Sequence, residues 1–155
     1  MVREILFRGK RMDNGEWVYG FILHAQNDDS WCITNEVEYL HDVDGNTVGQ
    51  YTGLGDKNGV KIFDGDIVAW RDKNFILNGH YTYGFDGYKY GDELIVRRLK
   101  SGFMLCKKHD GMPDIPNAND KIDNYAFWNY HGFFEVIGNI HDNQGLLEVR
   151  DGTTD

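Results

Sequence analysis

Proline and cysteine are scarce here, with two of each in 155 residues. So little proline excludes a collagen-like repeat or a proline-rich linker. The two cysteines, Cys32 and Cys106, lie in no CxxC, which excludes a disulfide-stapled scaffold and leaves both thiols expected to be reduced. Long apolar runs are missing, and no stretch approaches the length of a membrane span. Behind Met1 the chain enters a charged, strand-like run with no secretory apolar region. These absences predict a soluble, cytoplasmic protein without a membrane partner. Positive charge is also short: 16 Lys and Arg against 25 Asp and Glu give a net charge of −9. Nucleic-acid affinity comes from surplus Lys and Arg, so a nucleic-acid partner is disfavoured. The acidic residues are spread evenly along the chain, with no acidic tail and no basic arm.

Aromatic residues and glycine are plentiful: 14% of the chain is Phe, Trp or Tyr, and 19 residues are Gly. No window holds a helical period. The recurring unit is a short aromatic and β-branched run bounded by Gly, Asn or Asp, which reads as a strand between turns. Strands are predicted at 5–7, 17–23, 31–34, 37–39, 47–52, 60–63, 66–70, 75–77, 80–83, 94–99, 103–107, 125–130 and 133–140. Asn14-Gly15 before the second run is a hairpin signal, because both residues accept positive φ. Asn58-Gly59 and Asp64-Gly65 place two reversals within about ten residues, which leaves no room for a helix. Residues 108–124 contain both prolines and read as the longest loop. Many short strands at this spacing indicate an all-β barrel or sandwich and argue against a βαβ architecture. Expected core residues are Phe7, Trp17, Tyr19, Ile62, Ile67, Val68, Trp70, Val136 and Ile140.

Candidate chemistry is sparse. Asp42, Asp44 and Asn46 have the spacing of the first ligands of an EF-hand loop, but Thr47 stands where the turn needs Gly and Gly53 where it needs Glu. An Asx turn explains the segment better. The 53–59 stretch has the wrong glycine spacing for a phosphate cradle and leads into a strand. No two of the six histidines are spaced as HxxxH, and neither Ser30 nor Ser101 lies in GxSxG. Asp64 and Asp66 flank Gly65 and could do acid/base work or hold a metal, although Asp is also favoured in such a turn for backbone reasons. In the 81–90 segment, Tyr81, Tyr83, Phe85, Tyr88 and Tyr90 form an aromatic group expected to serve as a partner or oligomer surface, or to pair across a hairpin. Arg97, Arg98 and Lys100 form a candidate basic patch, to which Arg8, Lys10 and Arg11 would add if their strands were neighbours.

Three blocks carry a family resemblance. The first is Arg3-Glu4-Ile5-Leu6-Phe7-Arg8-Gly9-Lys10-Arg11 with Gly15-Glu16-Trp17-Val18-Tyr19-Gly20. The second runs from Thr47-Val48-Gly49-Gln50-Tyr51-Thr52-Gly53-Leu54 through Asp56-Lys57-Asn58-Gly59 to Ile62-Phe63-Asp64-Gly65-Asp66-Ile67-Val68. The third is Glu135-Val136-Ile137-Gly138-Asn139-Ile140. Together they resemble the YopX family of bacteriophage and prophage proteins. Residues 71–130 carry no matching motif, and His141-Asp142-Asn143-Gln144-Gly145 departs from the family's usual ending.

The resemblance implies a phage- or prophage-encoded protein of unassigned molecular function with an SH3-like barrel, and it transfers no catalytic residue. The expected architecture is therefore all-β: an N-terminal β meander over 1–58, an SH3-like barrel with an elaborated loop over 59–142, and a tail over 143–155. The expected function is a non-enzymatic binding or accessory module with no cofactor. Its expected partners are a host or phage protein, or further copies of itself as a homo-oligomer. The alternatives are a metal-dependent hydrolase using Asp64 and Asp66, and a nucleic-acid binder.

Overall fold

The computed structural model describes residues 4–36, 39–72, 76–77, 80–81, 90–99, 102–107, 121–122 and 131–147. The described elements are β-strands and short 3-10 turns, so the all-β expectation holds. The chain divides into two compact units, Met1–Gly53 and Leu54–Asp155.

In the first unit, β1 (Phe7–Lys10), β2 (Trp17–Ala25), β3 (Ser30–Glu36) and β4 (Tyr39–Val43) follow one another as an antiparallel meander. β5 (Gly49–Gly55) then returns to the other edge of β1, pairing Phe7 with Gln50 and Arg8 with Gly49. The strand order is β4-β3-β2-β1-β5. Side chains alternate across a strand. Val18, Ile33 and Val43 accordingly form one buried cluster, with Phe7, Ile22, Trp31 and Val48 packed against it. Tyr19 lies on the opposite face and is exposed, which corrects its expected place in the core. Trp17 is half-buried under Arg8, whose guanidinium carbon lies 4.6 Å from its ring centroid. Gly20 is required because a Cβ there would collide with the Thr34 carbonyl of β3.

The β1–β2 connection differs from a two-residue Asn-Gly turn. Only Gly15 takes positive φ (73°), and Asn14 instead accepts the Glu16 N–H on its side-chain oxygen at 3.0 Å. The loop therefore runs from Arg11 to Glu16, closed by Arg11 N donating to the Glu16 carbonyl.

In the second unit, β6 (Lys61–Phe63) neighbours β5 and is joined to it by the 56–60 turn. β7 (Asp66–Trp70) is an inner strand of a five-stranded sheet. It pairs on one side with β10 (Glu93–Leu99) and on the other with β13 (Phe134–Asn139). β10 continues to β11 (Gly102–Lys107), and β11 to β12 (Lys121–Ile122), giving the order β12-β11-β10-β7-β13. β8 (Ile76–Leu77) and β9 (His80–Tyr81) form a separate two-stranded ribbon. β12 falls inside the predicted 108–124 loop: two residues are too few to show period-2 alternation, so composition alone read them as loop. The strand predicted at 125–130 lies outside the described residues, as does Val37.

Every residue of β7 is buried. Val68 and Trp70 face one cluster with Ile62, Leu94, Val96, Phe103, Leu105 and Phe134. Ile67 faces the other, with Ile95, Ile140 and Leu147. Burial on both faces is why this strand reads as a continuous apolar run rather than an alternating one. Trp70 meets Phe134 edge-on, with centroids 5.1 Å apart, and its indole N–H donates to the Asp72 carbonyl at 2.7 Å. The expected core residues Ile62, Ile67, Val68, Trp70 and Ile140 are buried; Phe7 and Val136 are half-buried.

Removing a large side chain from either unit should be costly. Trp70→Ala is expected to lower unfolding free energy by about 3–5 kcal/mol and Ile33→Ala by about 2–5 kcal/mol, each measured by urea denaturation.

Candidate functional site

The polar side chains that tie the second unit's turns and strands together are Asp56, Asp64, Asp66 and Asn139. β5 ends at Gly55, and Asp56 opens the turn into β6. Its side chain is buried, and Oδ1 accepts the N–H groups of Asn58 at 2.8 Å and Val60 at 2.9 Å. Oδ2 accepts the N–H of Val136, on β13, at 2.9 Å. The Asp56 N–H in turn donates to the Val60 carbonyl, and Gly59, at φ 79°, donates to the Asp56 carbonyl. On either side, Lys57 N donates to the Phe134 carbonyl at 2.8 Å and His131 Nδ1 donates to the Gly55 carbonyl at 2.6 Å. The sequence reading missed Asp56. Its signal was an Asp two residues before Asn58-Gly59, the pattern of a side chain that bonds its own turn.

Asp64 and Asp66 diverge. Asp66 is buried, and its Oδ2 accepts the Phe63 N–H at 2.8 Å across the Gly65 turn, where φ is 93°. Asp64 Oδ1 accepts the Arg98 N–H of β10 at 3.0 Å and lies 3.7 Å from Arg97 Nε. The two carboxylates thus serve different elements. Among the described residues no three His, Cys, Asp or Glu side chains converge as a metal site.

At the far end of β13, Asn139 Oδ1 accepts the N–H groups of His141 and Asp142, both at 2.9 Å. Its Nδ2 donates to Asp142 Oδ2, and Asn143 Oδ1 accepts the Asn139 N–H at 3.1 Å. A bulge between Val136 and Gly138 brings Gly138 under Asn143, where a Cβ would lie 2.5 Å from Oδ1. The 141–145 ending that departs from the family pattern therefore makes an Asn-based cap of its own.

Of the aromatic group, Tyr90 is exposed, with the Arg71 guanidinium carbon 5.8 Å from its ring centroid. Arg71 also donates to Glu135 at 2.8 Å. Tyr81 belongs to β9 by its backbone, while Tyr83, Phe85 and Tyr88 lie outside the described residues. Arg97 and Arg98 are consecutive on β10, so their side chains leave on opposite faces; Arg98 is exposed, and Lys100 lies outside the described residues. β1, which carries Arg8 and Lys10, belongs to a different sheet from β10.

The EF-hand-like segment is an Asx turn, as its residue types suggested. Asp44 Oδ1 accepts the Asn46 N–H at 3.0 Å and opens the 3-10 turn Gly45–Thr47. Asp42 instead accepts the Cys32 thiol at 3.2 Å. That hydrogen bond to the neutral thiol, with some burial and the nearby negative charge, pushes the Cys32 thiol up from its ordinary pKa. Nearby, a surface recess of about 220 Å³ is lined by Arg11, Met12, Asp13, Leu40, His41 and Asp42. Asp13 holds Arg11 through two hydrogen bonds of 2.9 and 2.6 Å, and this pairing lowers the Asp13 pKa.

With this geometry in view, a family model described as YopX protein matches residues 6–148. The chain belongs to the YopX family. It is also similar to the crystal structure of protein EF1440 from Enterococcus faecalis, with a TM-score of 0.51 and 20% identity over 95% of this chain and 100% of that one. At that identity the likeness is one of fold. No curated protein matches the chain. The family match takes in Asp56, Asp64, Asp66, Gly138 and Asn139. Among the described residues no helix is long and apolar enough to cross a membrane.

Two outcomes follow. Asp56→Ala should leave three backbone N–H groups without their acceptor. At about 1–3 kcal/mol each, it is expected to cost at least about 3 kcal/mol in chemical denaturation, with Asp56→Asn, which keeps one acceptor oxygen, falling between. In Asp42→Asn the Cys32 thiol should ionise more easily. The midpoint of its alkylation rate against pH is expected to move down, while Cys106 remains buried and slow.

Proposed function

We propose that this YopX-family chain is a non-enzymatic binding module, encoded by a phage or prophage and acting in the cytoplasm of the infected cell. The observation that carries this reading is the use made of the acidic residues. Asp56, Asp64 and Asp66, the carboxylates best placed for chemistry, accept backbone N–H groups that hold turns and strands together. A side chain committed to backbone N–H groups is a poor general base, because moving it to substrate breaks those bonds.

The order β12-β11-β10-β7-β13 supports an SH3-like barrel for the 59–142 region, an architecture that by itself assigns no activity. A net charge of −9 favours a basic protein partner from host or phage, reached by electrostatic steering, and a second copy is the alternative occupant. Tyr90 and the rest of the 81–90 aromatic group are the proposed partner surface of this unit.

The test is capture from host lysate on the immobilised full chain with stepped salt elution. A basic protein released by salt is the expected result, and recovery of the chain alone overturns the hetero-partner reading. Hydrolase screens with Mg²⁺, Mn²⁺ and Zn²⁺ should find no turnover, whereas activity abolished by Asp64→Asn would establish an enzyme instead. Retention on nucleic acid that falls steeply with salt and is lost in Arg97→Ala/Arg98→Ala would point to the third reading.

A further inference from the structure

Just past its last residue, β1 closes on β4. Arg11 bridges Val43, Met12 N donates to the Asp42 carbonyl and Asp44 N donates to the Lys10 carbonyl, both at 2.9 Å. No described residue continues that ladder beyond Met12. The chain turns away there into the 11–16 loop, and the recess of about 220 Å³ opens between the parting strands, lined by 11–13 on one side and 40–42 on the other. Alternate residues of a strand turn their N–H and C=O to the same edge. Asp42 and Asp44 use that edge to bond β1, so the N–H and C=O of Leu40 face it too, and no described residue bonds them. β4 is thus an edge strand with an open backbone position at Leu40. The side chains flanking it are also open: Leu40 is 63% exposed and Met12, across the recess, 67%.

We propose that this edge takes an extended segment of a partner protein as an added strand, with an Arg or Lys side chain of that segment laid in the recess. The inference rests on the binding-module reading and gives it a point of contact in the first unit. The occupant is argued from charge and register. Within 10–16 and 40–44, the carboxylates Asp13, Glu16, Asp42 and Asp44 stand against Lys10 and Arg11. Arg11 is already committed to Asp13 through two hydrogen bonds. Asp42 is exposed, its Oδ1 accepts the neutral Cys32 thiol, and no cation pairs with it among the described residues. A residue paired with Leu40 has Asp42 as its diagonal neighbour on the same face, about 7–8 Å away, within reach of a long side chain and not of a short one. The stem of an Arg or Lys there covers Leu40 and Met12 while its cationic head meets Asp42. Main-chain bonds then supply affinity, and that one side chain supplies selectivity. A second copy of β4 does not fit the same place, because Tyr39–Val43 carries no Lys or Arg.

The test titrates the full chain with the capped peptide acetyl-Thr-Val-Arg-Val-Thr-amide and follows it by NMR. The Leu40 N–H is expected to exchange with water more slowly as the peptide saturates. The same peptide with Glu in place of Arg, or with an N-methylated Arg that can no longer donate to the Leu40 carbonyl, should bind at least about tenfold more weakly. Asp42→Lys should weaken binding of the Arg peptide by a similar factor. Asp42→Asn, which keeps an acceptor for the Cys32 thiol, should act in the same direction. Glu4→Lys makes the same change of charge at an exposed position ahead of the other end of β1, and should leave binding within about twofold. No binding, an unchanged Leu40 exchange rate, a peptide indifferent to both Asp42 variants, or a loss shared equally by Glu4→Lys overturns the proposal. Any of these leaves salt-eluted capture of a basic protein, the readout of the binding-module reading, unaffected.

Discussion

The second unit is held by one carboxylate that bonds the backbone of two segments far apart in sequence. Asp56 closes its own turn through Asn58 and Val60 and reaches Val136, 80 positions along the chain. Tight turns leave N–H groups pointing inward, and each is expensive if it finds neither water nor an acceptor. An aspartate in the first turn position meets two of them locally and has a second oxygen left over. That oxygen fastens β13, and Lys57 N with the Phe134 carbonyl adds a second tie beside it. Ordering so long an intervening segment costs chain entropy that grows only slowly with its length, so a few charge-assisted bonds at the closure suffice.

With β13 anchored, β7 acquires partners on both sides and loses contact with water altogether. Trp70 is then wedged edge-on against Phe134, and Ile67 closes on Ile140 and Leu147 behind the sheet. Asp66 at the start of β7 and Asp64 beside it perform the same service for the Gly65 turn, which donates to the Val96 carbonyl and accepts from Ile140 N. The same residue type is thus used three times within eleven positions, each time to satisfy backbone. This pattern explains why a motif that could suggest a metal site is, in three dimensions, part of the backbone framework.

The first unit solves a different problem. Its sheet buries one face around Val18, Ile33 and Val43 and carries the exposed Tyr19, Phe21, Leu23 and Leu40 on the other, where Arg8 is nonetheless buried. A strand that is apolar on both sides is economical when both sides are covered and a liability when one is not. The Arg8 and Lys10 cations lie above Trp17, and the end of β1 closes on β4, where Arg11 bridges Val43, Met12 N donates to the Asp42 carbonyl and Asp44 N to the Lys10 carbonyl.

Much of the architecture was legible in the chain itself. Short aromatic and β-branched runs between Gly, Asn and Asp determined an all-β fold, because no helix can be built between reversals so closely spaced. The 67–70 run was readable as buried because it is apolar without alternation, and the Asp44 turn because its residue types bond their own backbone. Local sequence could not decide which face of β2 enters the core, since Val18 and Ile22 are as apolar as Tyr19, Phe21 and Leu23. Pairing with β1 and β3 made that choice by placing Val18 with Ile33 and Val43. Nor could it show that Asp56 answers to Val136, that the departing 141–145 ending caps β13, or that Asp64 and Asp66 turn apart. Those outcomes are contacts between residues whose proximity is created only when the strands assemble, and hydrogen bonds act over a few ångströms of space however far apart the partners stand in the chain.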